Sequence, residues 1–383
     1  MTTPSGYQGN RLFLAFVSLF VAFFTCASGA SIPCQWTGVE KIVAVGDLHG
    51  DYENFVKILK GIGIVDDGLR WKAGRTHLVQ TGDIMDRGPD ARKILDLLMR
   101  LEKEAEQAGG MVHVLIGNHE EMNITKMAFR YPDYVTVDQF ISFLPDGYRQ
   151  RKENELRRRI INLQLGGNDN ELNRVISEFW NSLRKDPNGQ RQYLVNFNRM
   201  YGSWLLKKNA VIKINGIIFV HGGISERFSK WKIEDINDRL RLELADLRRE
   251  AETGQPSNIQ RPQVVYDEYG PLWYRELASV AEEDLRDEVT RILANLGAEK
   301  IVIAHTPRIA ATKEAMKRFD GKVWVVDTGI SRVYGGRLSA LIIENGEFTV
   351  WGENHETTEN TDTLHPCFLY VLFGGLAGFR AGR

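Results

Sequence analysis

The sequence has almost no net charge. Its 49 lysines and arginines nearly balance its 50 aspartates and glutamates, which leaves a formal net charge of −1. A balanced chain has no general electrostatic attraction for nucleic acid or for an anionic membrane, so we expect neither partner. Hydrophobic residues make up 43% of the chain, which excludes a disordered protein. A local site must therefore select the partners of this protein.

No hydrophobic run reaches the roughly 20 residues that a comfortable membrane span requires. An apolar run at residues 12–24 follows Arg11 and leads into small residues that end at Ala30. This order is typical of a secretory signal peptide. We therefore predict that residues 1–30 are a signal peptide of the secretory pathway, that the mature protein has no transmembrane span, and that it is extracellular or periplasmic.

Cysteine is scarce: of three in the chain, only Cys34 and Cys367 lie beyond the predicted signal peptide. In an exported protein they could form one disulfide that ties the tail to the start of the domain, or stay unpaired, and the sequence leaves both alternatives open. Residues 357–383 are predicted to be a C-terminal tail, first polar and then apolar. A lipid-anchor signal has a similar order of segments, but this run ends in arginine, which favours a packed or disordered tail.

Short runs rich in valine and isoleucine recur along the chain, each followed at once by glycine, aspartate, asparagine or histidine. They lie at residues 42–45, 77–80, 112–116, 217–220, 301–304 and 323–326. Such runs are typical of buried strands. A helical pattern begins near Pro89, and Asn345-Gly346 predicts the turn of a final hairpin. Strands that alternate with helices predict an α/β fold, whose ligands bind beyond the carboxyl ends of the strands.

Two regions interrupt this alternation. The sequence predicts a helical insertion at residues 129–205. A solvated insertion is favoured over a cap that helps to select substrate. The stretch from Glu243 to Arg261 is polar and predicts a surface helix with a loop.

Six residues with metal-binding side chains stand directly after the predicted strands. They are Asp47, His49, Asp83, Asn118, His221 and His305. Their mixture of oxygen and nitrogen suits Mn, Fe or Zn better than Ca, which prefers oxygen alone. Six ligands are more than one tetrahedral metal site can use. If Asp83 bridges, they make two sites with ions about 3.5–4 Å apart, a spacing used for in-line displacement at phosphorus.

The order of the motifs carries a resemblance to a known family. Gly-Asp-Leu-His-Gly, Gly-Asp-Ile-Met-Asp-Arg-Gly, Gly-Asn-His-Glu and His-Gly-Gly resemble the signature of the phosphoprotein phosphatase family of calcineurin-like metallophosphoesterases, over about residues 40–350. The segments at 222–225, 271–275, 305–307 and 327–329 are most similar to its bacterial-like branch, the Shewanella-like phosphatases. The chain lacks the Ser-Ala-Pro-Asn-Tyr-Cys stretch of the common eukaryotic enzymes, so we do not expect their toxin sensitivity or regulatory subunits.

The resemblance implies a fold and a metal centre. The fold is an α/β calcineurin-like metallophosphoesterase domain at residues 31–356, a central β-sandwich flanked by helices, with the insertion at 129–205. Two divalent ions are expected: Asp47, His49 and Asp83 hold the first, and Asp83, Asn118, His221 and His305 hold the second. A hydroxide that bridges the ions attacks phosphorus directly and in line.

The resemblance also implies roles beside the metals. His119 protonates the leaving group and Asp86 orients it, an acid and orienter pair of the usual kind. Arg87, Asn118 and Arg275 bind the phosphate. For Arg87 a structural ion pair is the alternative, and for Arg275 the alternative is packing with its aromatic neighbours Trp273 and Tyr274. Glu120 is expected to support the ligands.

The predicted function is a dimetal-dependent phosphomonoesterase that acts on phosphoproteins, at serine or threonine, at tyrosine, or at both. A dinucleoside polyphosphate hydrolase of the same superfamily is the enzymatic alternative. An inactive phosphopeptide-binding scaffold is disfavoured because every ligand position is filled. Asn123-Ile124-Thr125 fits a glycosylation acceptor, yet a sugar so close to His119 would crowd the site. The sequence makes no prediction of oligomeric state.

Overall fold

The computed structural model of the protein describes residues 1, 32–164, 169–308 and 310–352. The chain divides into residues 1–32 and residues 33–383, and the fold below belongs to the second unit. The predicted signal peptide beyond Met1, the predicted C-terminal tail and Cys367 lie outside the described residues. Cys34 is buried, and its thiol lies 3.5 Å from the carboxylate of Glu234.

Two β-sheets form the centre of the fold. The strands are β1 (Gln35–Trp36), β2 (Lys41–Val45), β3 (His77–Gln80), β4 (Met111–Val114), β5 (Val211–Ile214), β6 (Ile217–Val220), β7 (Lys300–Ile303), β8 (Lys317–Arg318), β9 (Val323–Val325), β10 (Ser339–Glu344) and β11 (Glu347–Gly352). Within the described residues, one sheet has the order β1-β5-β6-β7-β9-β8 and the other β11-β10-β2-β3-β4. This confirms the predicted α/β fold with two central sheets between helices.

Helices flank the sheets. They are α1 (Tyr52–Gly61), α2 (Ala91–Gln107), α3 (Asn118–Ile124), α4 (Val137–Ser142), α5 (Asp146–Asn162), α6 (Asp169–Lys185), α7 (Pro187–Phe197), α8 (Ser203–Leu205), α9 (Glu226–Ser229), α10 (Ile233–Thr253), α11 (Glu276–Ser279), α12 (Glu282–Leu296) and α13 (Lys313–Met316). Short 3₁₀ turns lie at Met127–Arg130, Phe319–Gly321 and Arg332–Tyr334, and a π turn at Asn198–Gly202. None of the described helices is long and apolar enough to cross a membrane.

The local sequence explains these elements well. The predicted strands appear with ends shifted by at most two residues, and the first predicted helix is α2, whose apolar side chains Ile94, Leu98 and Leu101 are fully buried. The hairpin of β10 and β11 turns at Asn345 and Gly346, which have φ angles of 52° and 82°. Positive φ at both positions is what a tight hairpin turn requires, and asparagine and glycine tolerate it best.

The sheet topology places the strand ends together. β2, β3 and β4 are parallel, so their carboxyl ends lie at one edge, and β6, β7 and β9 are parallel in the other sheet. The two edges meet through backbone contact, since a Cβ atom at Gly46 would lie 2.3 Å from the carbonyl oxygen of Val326. Glycine at this position therefore lets the polar ends of both sheets face one another.

The region predicted as an insertion contains α4 to α8 and has two different characters. In α5 only Tyr148 and Leu156 are buried, so this helix is solvated, as the polar sequence indicates. In α4 and α7, by contrast, Gln139, Phe140 and Tyr193 are fully buried. The rings of Phe140 and Tyr193 are stacked on one another. Part of the insertion therefore belongs to the interior of the domain.

The prediction that the chain from Glu243 to Arg261 lies at the surface is wrong for Glu243, Leu244 and Leu247, which are buried on one face of α10. Glu243 is fully buried in α10, because its carboxylate accepts hydrogen bonds from three consecutive backbone N–H groups, those of Gln263, Val264 and Val265. It also pairs with Arg239 at 2.6 Å. A buried carboxylate needs such partners, and here it anchors a loop that has no regular secondary structure.

We expect Glu243→Ala to lower the free energy of unfolding by about 3–5 kcal/mol, because three buried N–H groups and one guanidinium lose their acceptor. Glu252→Ala is the matched control: Glu252 lies on the same helix and its carboxylate pairs with Arg248 at 2.7 Å, but it is partly exposed. Glu252→Ala should lower the free energy of unfolding by at most about 1 kcal/mol. Urea unfolding measures both, and equal losses would contradict the anchoring role of Glu243.

Candidate metal centre

The structure brings the six predicted metal ligands together at the meeting edge of the two sheets. Each is at most 5% exposed. Asp47 and His49 follow β2, Asp83 follows β3, and Asn118 opens α3 just beyond β4. His221 follows β6 and His305 follows β7, so both sheets contribute. The parallel strands explain why residues far apart in sequence converge here.

Asp83 lies at the centre of the cluster. Its Oδ1 is 3.2 Å from Nε2 of His221, and its Oδ2 is 3.8 Å from Nε2 of His49. Two groups of side chains have ligand atoms within 4.8 Å of one another, namely His49, Asp83 and His119, and Asp83, His221 and His305. The two groups share Asp83, which is the position expected of a bridging carboxylate.

The first group contains His119 in the place where Asp47 was predicted. Asp47 is nevertheless close, because its Oδ2 lies 4.0 Å from Nε2 of His49 and its Oδ1 lies 3.8 Å from Nδ1 of His221. His119, in contrast, already directs Nδ1 to Asp86 at 2.7 Å. The hydrogen-bonded role of His119 favours Asp47 as the third ligand of this group.

The hydrogen bonds of the histidines test whether a cation fits. His221 directs Nδ1 to the carbonyl oxygen of Thr81 at 3.0 Å, which places the ring proton there. Its Nε2 lone pair then faces the oxygen of Asn118 at 3.0 Å and Oδ1 of Asp83 at 3.2 Å. Lone pairs directed at one another repel unless a cation lies between them. A divalent ion suits this arrangement.

His49 and His305 support the same conclusion. His49 directs Nδ1 to the carbonyl oxygen of Met85 at 3.1 Å, so its Nε2 lone pair faces the carboxylates of Asp47 and Asp83. Nδ1 of His305 lies 3.1 Å from Nε2 of His221, so these two nitrogens face one another, and the buried Nε2 of His305 has no hydrogen-bond partner among the described residues. Imidazoles oriented by backbone carbonyl groups, as those of His49 and His221 are, are typical of metal sites.

The electrostatics of the cluster also favour bound cations. Burial lowers the pKa of His49 to about 3, so this ring is a neutral ligand. Burial and the negative charges of Asp327 and Asp83 raise the pKa of Asp47 well above its usual range, and burial raises the pKa of Asp327 to about 6. Crowded carboxylates of this kind are stabilised as anions by a metal ion.

Glu120 holds the ligand loop, as predicted. It is fully buried, and its carboxylate accepts the backbone N–H groups of Asp83 and Ile84, each at 2.8 Å, and of Gly117 at 2.9 Å. Gly117 leaves room for Asp83, since a Cβ atom there would lie 2.4 Å from Oδ1 of Asp83. These contacts orient the central carboxylate.

Asp86 and His119 form a buried pair beside the ligand cluster. Burial disfavours the charged ring, but the carboxylates of Asp83 and Asp86 outweigh it and raise the pKa of His119. Asn123 donates to Oδ2 of Asp86 and to the carbonyl oxygen of His119, both at 2.9 Å. Since Asn123 is fully buried, its amide has a structural role and is not accessible to glycosylation.

Two aromatic side chains, which the sequence analysis did not identify, flank Arg87. Its guanidinium lies 4.2 Å from the ring centre of Tyr134 and 6.0 Å from that of Tyr334. The ring of Tyr134 also lies 4.6 Å from that of His119, and the ring of Tyr334 lies 5.1 Å from that of His49. The rings therefore form walls of the site and orient the guanidinium by cation–π contact.

Arg275 lies beside the second ligand group. Its guanidinium donates to the carbonyl oxygen of His305 at 2.9 Å and to the hydroxyl of Thr306 at 3.1 Å. The indole of Trp273 meets the ring of His305 edge-on, with centres 5.9 Å apart. The aromatic segment therefore packs against a candidate ligand, as one predicted alternative has it, and the guanidinium of Arg275 lies beside the same histidine.

Comparison with known proteins agrees with this arrangement. The sequence model of the calcineurin-like phosphoesterase family matches residues 40–308. Shewanella-like protein phosphatase 1 of Plasmodium berghei is 26% identical over 300 residues, which are 78% of this chain and 68% of that protein. Shewanella-like protein phosphatase 2 of Arabidopsis thaliana is 30% identical over 256 residues, 62% of this chain and 63% of that protein.

A solved structure is similar as well. The crystal structure of the cold-active protein-tyrosine phosphatase of a psychrophilic Shewanella species has 25% sequence identity and a TM-score of 0.58, and the match covers 84% of this chain and 82% of that one. The family model spans most of the chain, and the cluster around Asp83 contains side chains that could hold the metal ions that the family implies. The chain therefore belongs to the calcineurin-like phosphoesterase family of metal-dependent hydrolases, with Shewanella-like protein phosphatases among its relatives.

Proposed function

We propose that the protein is a dimetal-dependent protein phosphatase that hydrolyses phosphomonoesters of serine, threonine or tyrosine side chains. One observation carries the proposal: two candidate ligand groups share Asp83, and the pair formed by His119 and Asp86 lies directly beside them. Relatives named protein phosphatases, aligned over most of this chain or nearly two thirds of it, support a phosphoprotein as the substrate.

Two divalent ions, of Mn, Fe or Zn, would supply the activation of water and the neutralisation of phosphate charge when bound. Asp47, His49 and Asp83 would hold one ion. Asp83, Asn118, His221 and His305 would hold the other. The protein contributes the fixed ring orientations described above, which keep the ligand nitrogens unprotonated on the side of the cluster.

His119 would act as the general acid. Its Nδ1 bond to Asp86 fixes the ring, and its Nε2 lies 3.8 Å from Oδ2 of Asp83, on the side of the ligand cluster. The hydrogen bond to the Asp86 carboxylate stabilises the protonated ring, and the proton passes from Nε2 to the oxygen of the departing alkoxide or phenoxide. A better leaving group needs this proton less.

Arg87 and Arg275 would bind the phosphate oxygens from two sides of the site, together with the amide of Asn118. Planar guanidinium groups suit this task because they present paired donors to a phosphate. Tyr134 restricts the guanidinium of Arg87 before substrate arrives, which lowers the entropic cost of binding.

The substrate class is tested with the purified protein loaded with Mn, Fe or Zn. A phosphotyrosine peptide, a phosphothreonine peptide and diadenosine tetraphosphate are compared by kcat/KM. We expect hydrolysis of at least one phosphopeptide in preference to the dinucleotide. Preference for diadenosine tetraphosphate would establish the alternative hydrolase, whereas phosphopeptide binding without turnover by any metal form would identify a scaffold.

Replacement of the central carboxylate tests the metal assignment. Asp83→Asn should remove activity and weaken the binding of both ions, because one side chain contacts both groups, while His305→Ala should mainly empty the second site. Metal content per chain is measured by mass spectrometry alongside turnover. Asp51→Asn is the matched control, since this buried aspartate pairs with Arg332 outside the ligand set and should keep both ions. Two ions and near-normal turnover in Asp83→Asn would refute a bridging role.

Replacement of the acid separates proton transfer from binding. His119→Asn should lower turnover by about 10²–10⁴-fold on a substrate with a poor alkoxide leaving group. The loss should be smaller on p-nitrophenyl phosphate, whose leaving group needs little protonation, and the metal content should not change. Equal losses on both substrates, or a missing ion in this variant, would exclude the acid role of His119.

A further inference from the structure

Two consecutive residues that the proposed function requires have an unusual backbone. Asp86 and Arg87 both have a φ angle of 68°, in the left-handed region that residues other than glycine seldom adopt. Neither residue can relax without moving a proposed catalytic group, since Asp86 holds His119 and Arg87 presents its guanidinium. Something outside this loop must therefore stabilise the left-handed conformation.

The insertion provides that stabilisation at both residues. The backbone N–H of Asp86 donates to Oε1 of Gln139 at 2.8 Å, and the backbone N–H of Arg87 donates to the carbonyl oxygen of Tyr134 at 2.8 Å. Tyr134 precedes α4 and Gln139 lies within it. The two hydrogen bonds join one short segment of the insertion to both strained residues.

Gln139 also binds the side chain of Asp86. Its amide Nε2 donates to Oδ1 of Asp86 at 2.8 Å, while Oδ2 accepts from His119 and Asn123. One side chain therefore holds the backbone and the carboxylate of the same residue. Each oxygen of Asp86 has a donor, so the carboxylate cannot rotate without breaking a buried hydrogen bond.

A buried network in turn holds Gln139. Its Nε2 lies 3.0 Å from the hydroxyl of Tyr193, and that hydroxyl donates to Oδ1 of Asn123 at 2.7 Å. Gln139, Tyr193 and Asn123 are all fully buried. Gln139 and Tyr193 belong to α4 and α7 of the insertion, and Asn123 of α3 connects them back to Asp86, so the insertion closes the network around this carboxylate.

We propose that Gln139 is a positioning residue for catalysis, through which the insertion fixes Asp86 and thereby aims the imidazole of His119 at the leaving group. The inference rests on the proposed acid role of His119. It makes the buried part of the insertion a component of the catalytic apparatus, since a small rotation of Asp86 moves Nε2 of His119 away from the departing oxygen.

Gln139→Met removes both hydrogen bonds to Asp86 with little change in volume. We expect kcat on a substrate with a poor alkoxide leaving group to fall by about 10–100-fold, with a smaller loss on p-nitrophenyl phosphate. KM, inhibition by inorganic phosphate and metal content should not change. The downfield proton resonance of the Nδ1–H group of His119, assigned by its absence from His119→Asn, should shift or broaden in Gln139→Met.

Phe140→Leu is the control for a purely structural effect. Phe140 is the neighbour of Gln139 in α4, is fully buried, and packs its ring against those of Phe129 and Tyr193. This variant should lose stability while kcat falls little and equally on both substrates. A leaving-group-dependent loss in Phe140→Leu as large as that in Gln139→Met would reduce Gln139 to a packing residue and overturn the inference.

A double variant separates this inference from the proposed function. If Gln139 acts through His119, adding Gln139→Met to His119→Asn should cause almost no further loss. Additive losses would overturn the positioning role and leave the acid intact. If His119→Asn itself shows no leaving-group dependence, the acid role fails first.

A milder variant keeps the test possible if Gln139→Met does not fold. Tyr193→Phe removes only the hydroxyl that contacts Gln139 and Asn123. It should give a smaller loss of kcat with the same dependence on the leaving group. Equal activity of Tyr193→Phe and the unaltered protein on the poor leaving group, or equal losses on both substrates, would contradict the inference.

Discussion

The rest of the site depends on the buried negative charge of the Asp83 carboxylate. It is buried at the meeting edge of the two sheets, where the Nε2 lone pairs of His49 and His221 face it. Its own backbone has a φ angle of 55°, and Glu120 binds its N–H group. A negative charge at the intersection of both ligand groups requires compensation by cations, and this requirement orders the histidines around it.

Much of the fold could be predicted from the sequence because its signals are local. A run such as Ile217–Val220 is apolar, β-branched and directly followed by a polar residue, so one short window predicts both the strand and the position of His221 at its end. Five of the six such windows are followed by the predicted ligands. Asp327 follows the strand β9 in the same pattern. From its position in the sequence alone, Asp327 could have been predicted to lie near Asp47.

The remaining features depend on contacts between distant parts of the chain. Glu243 is a charged residue between Leu242 and Leu244, and its burial is explained by the backbone of residues 263–265, which lies about 20 positions further along the chain. Likewise, nothing near Gln139 in the sequence distinguishes it from a surface residue of a solvated helix, because its partners Asp86 and Asn123 lie in other elements. Long-range hydrogen bonds of this type leave no periodic pattern.

The contact between the two sheets at Gly46 has a consequence for divergence within the family. Main chain meets main chain at this point, since the carbonyl oxygen of Val326 occupies the place of a side chain on Gly46. No side chain lies between the two sheets at this point, so the main chain itself sets their distance next to the ligands. A larger residue at position 46 would push the two sheets apart and with them the two halves of the ligand set, so this glycine should tolerate less change than the core side chains around it.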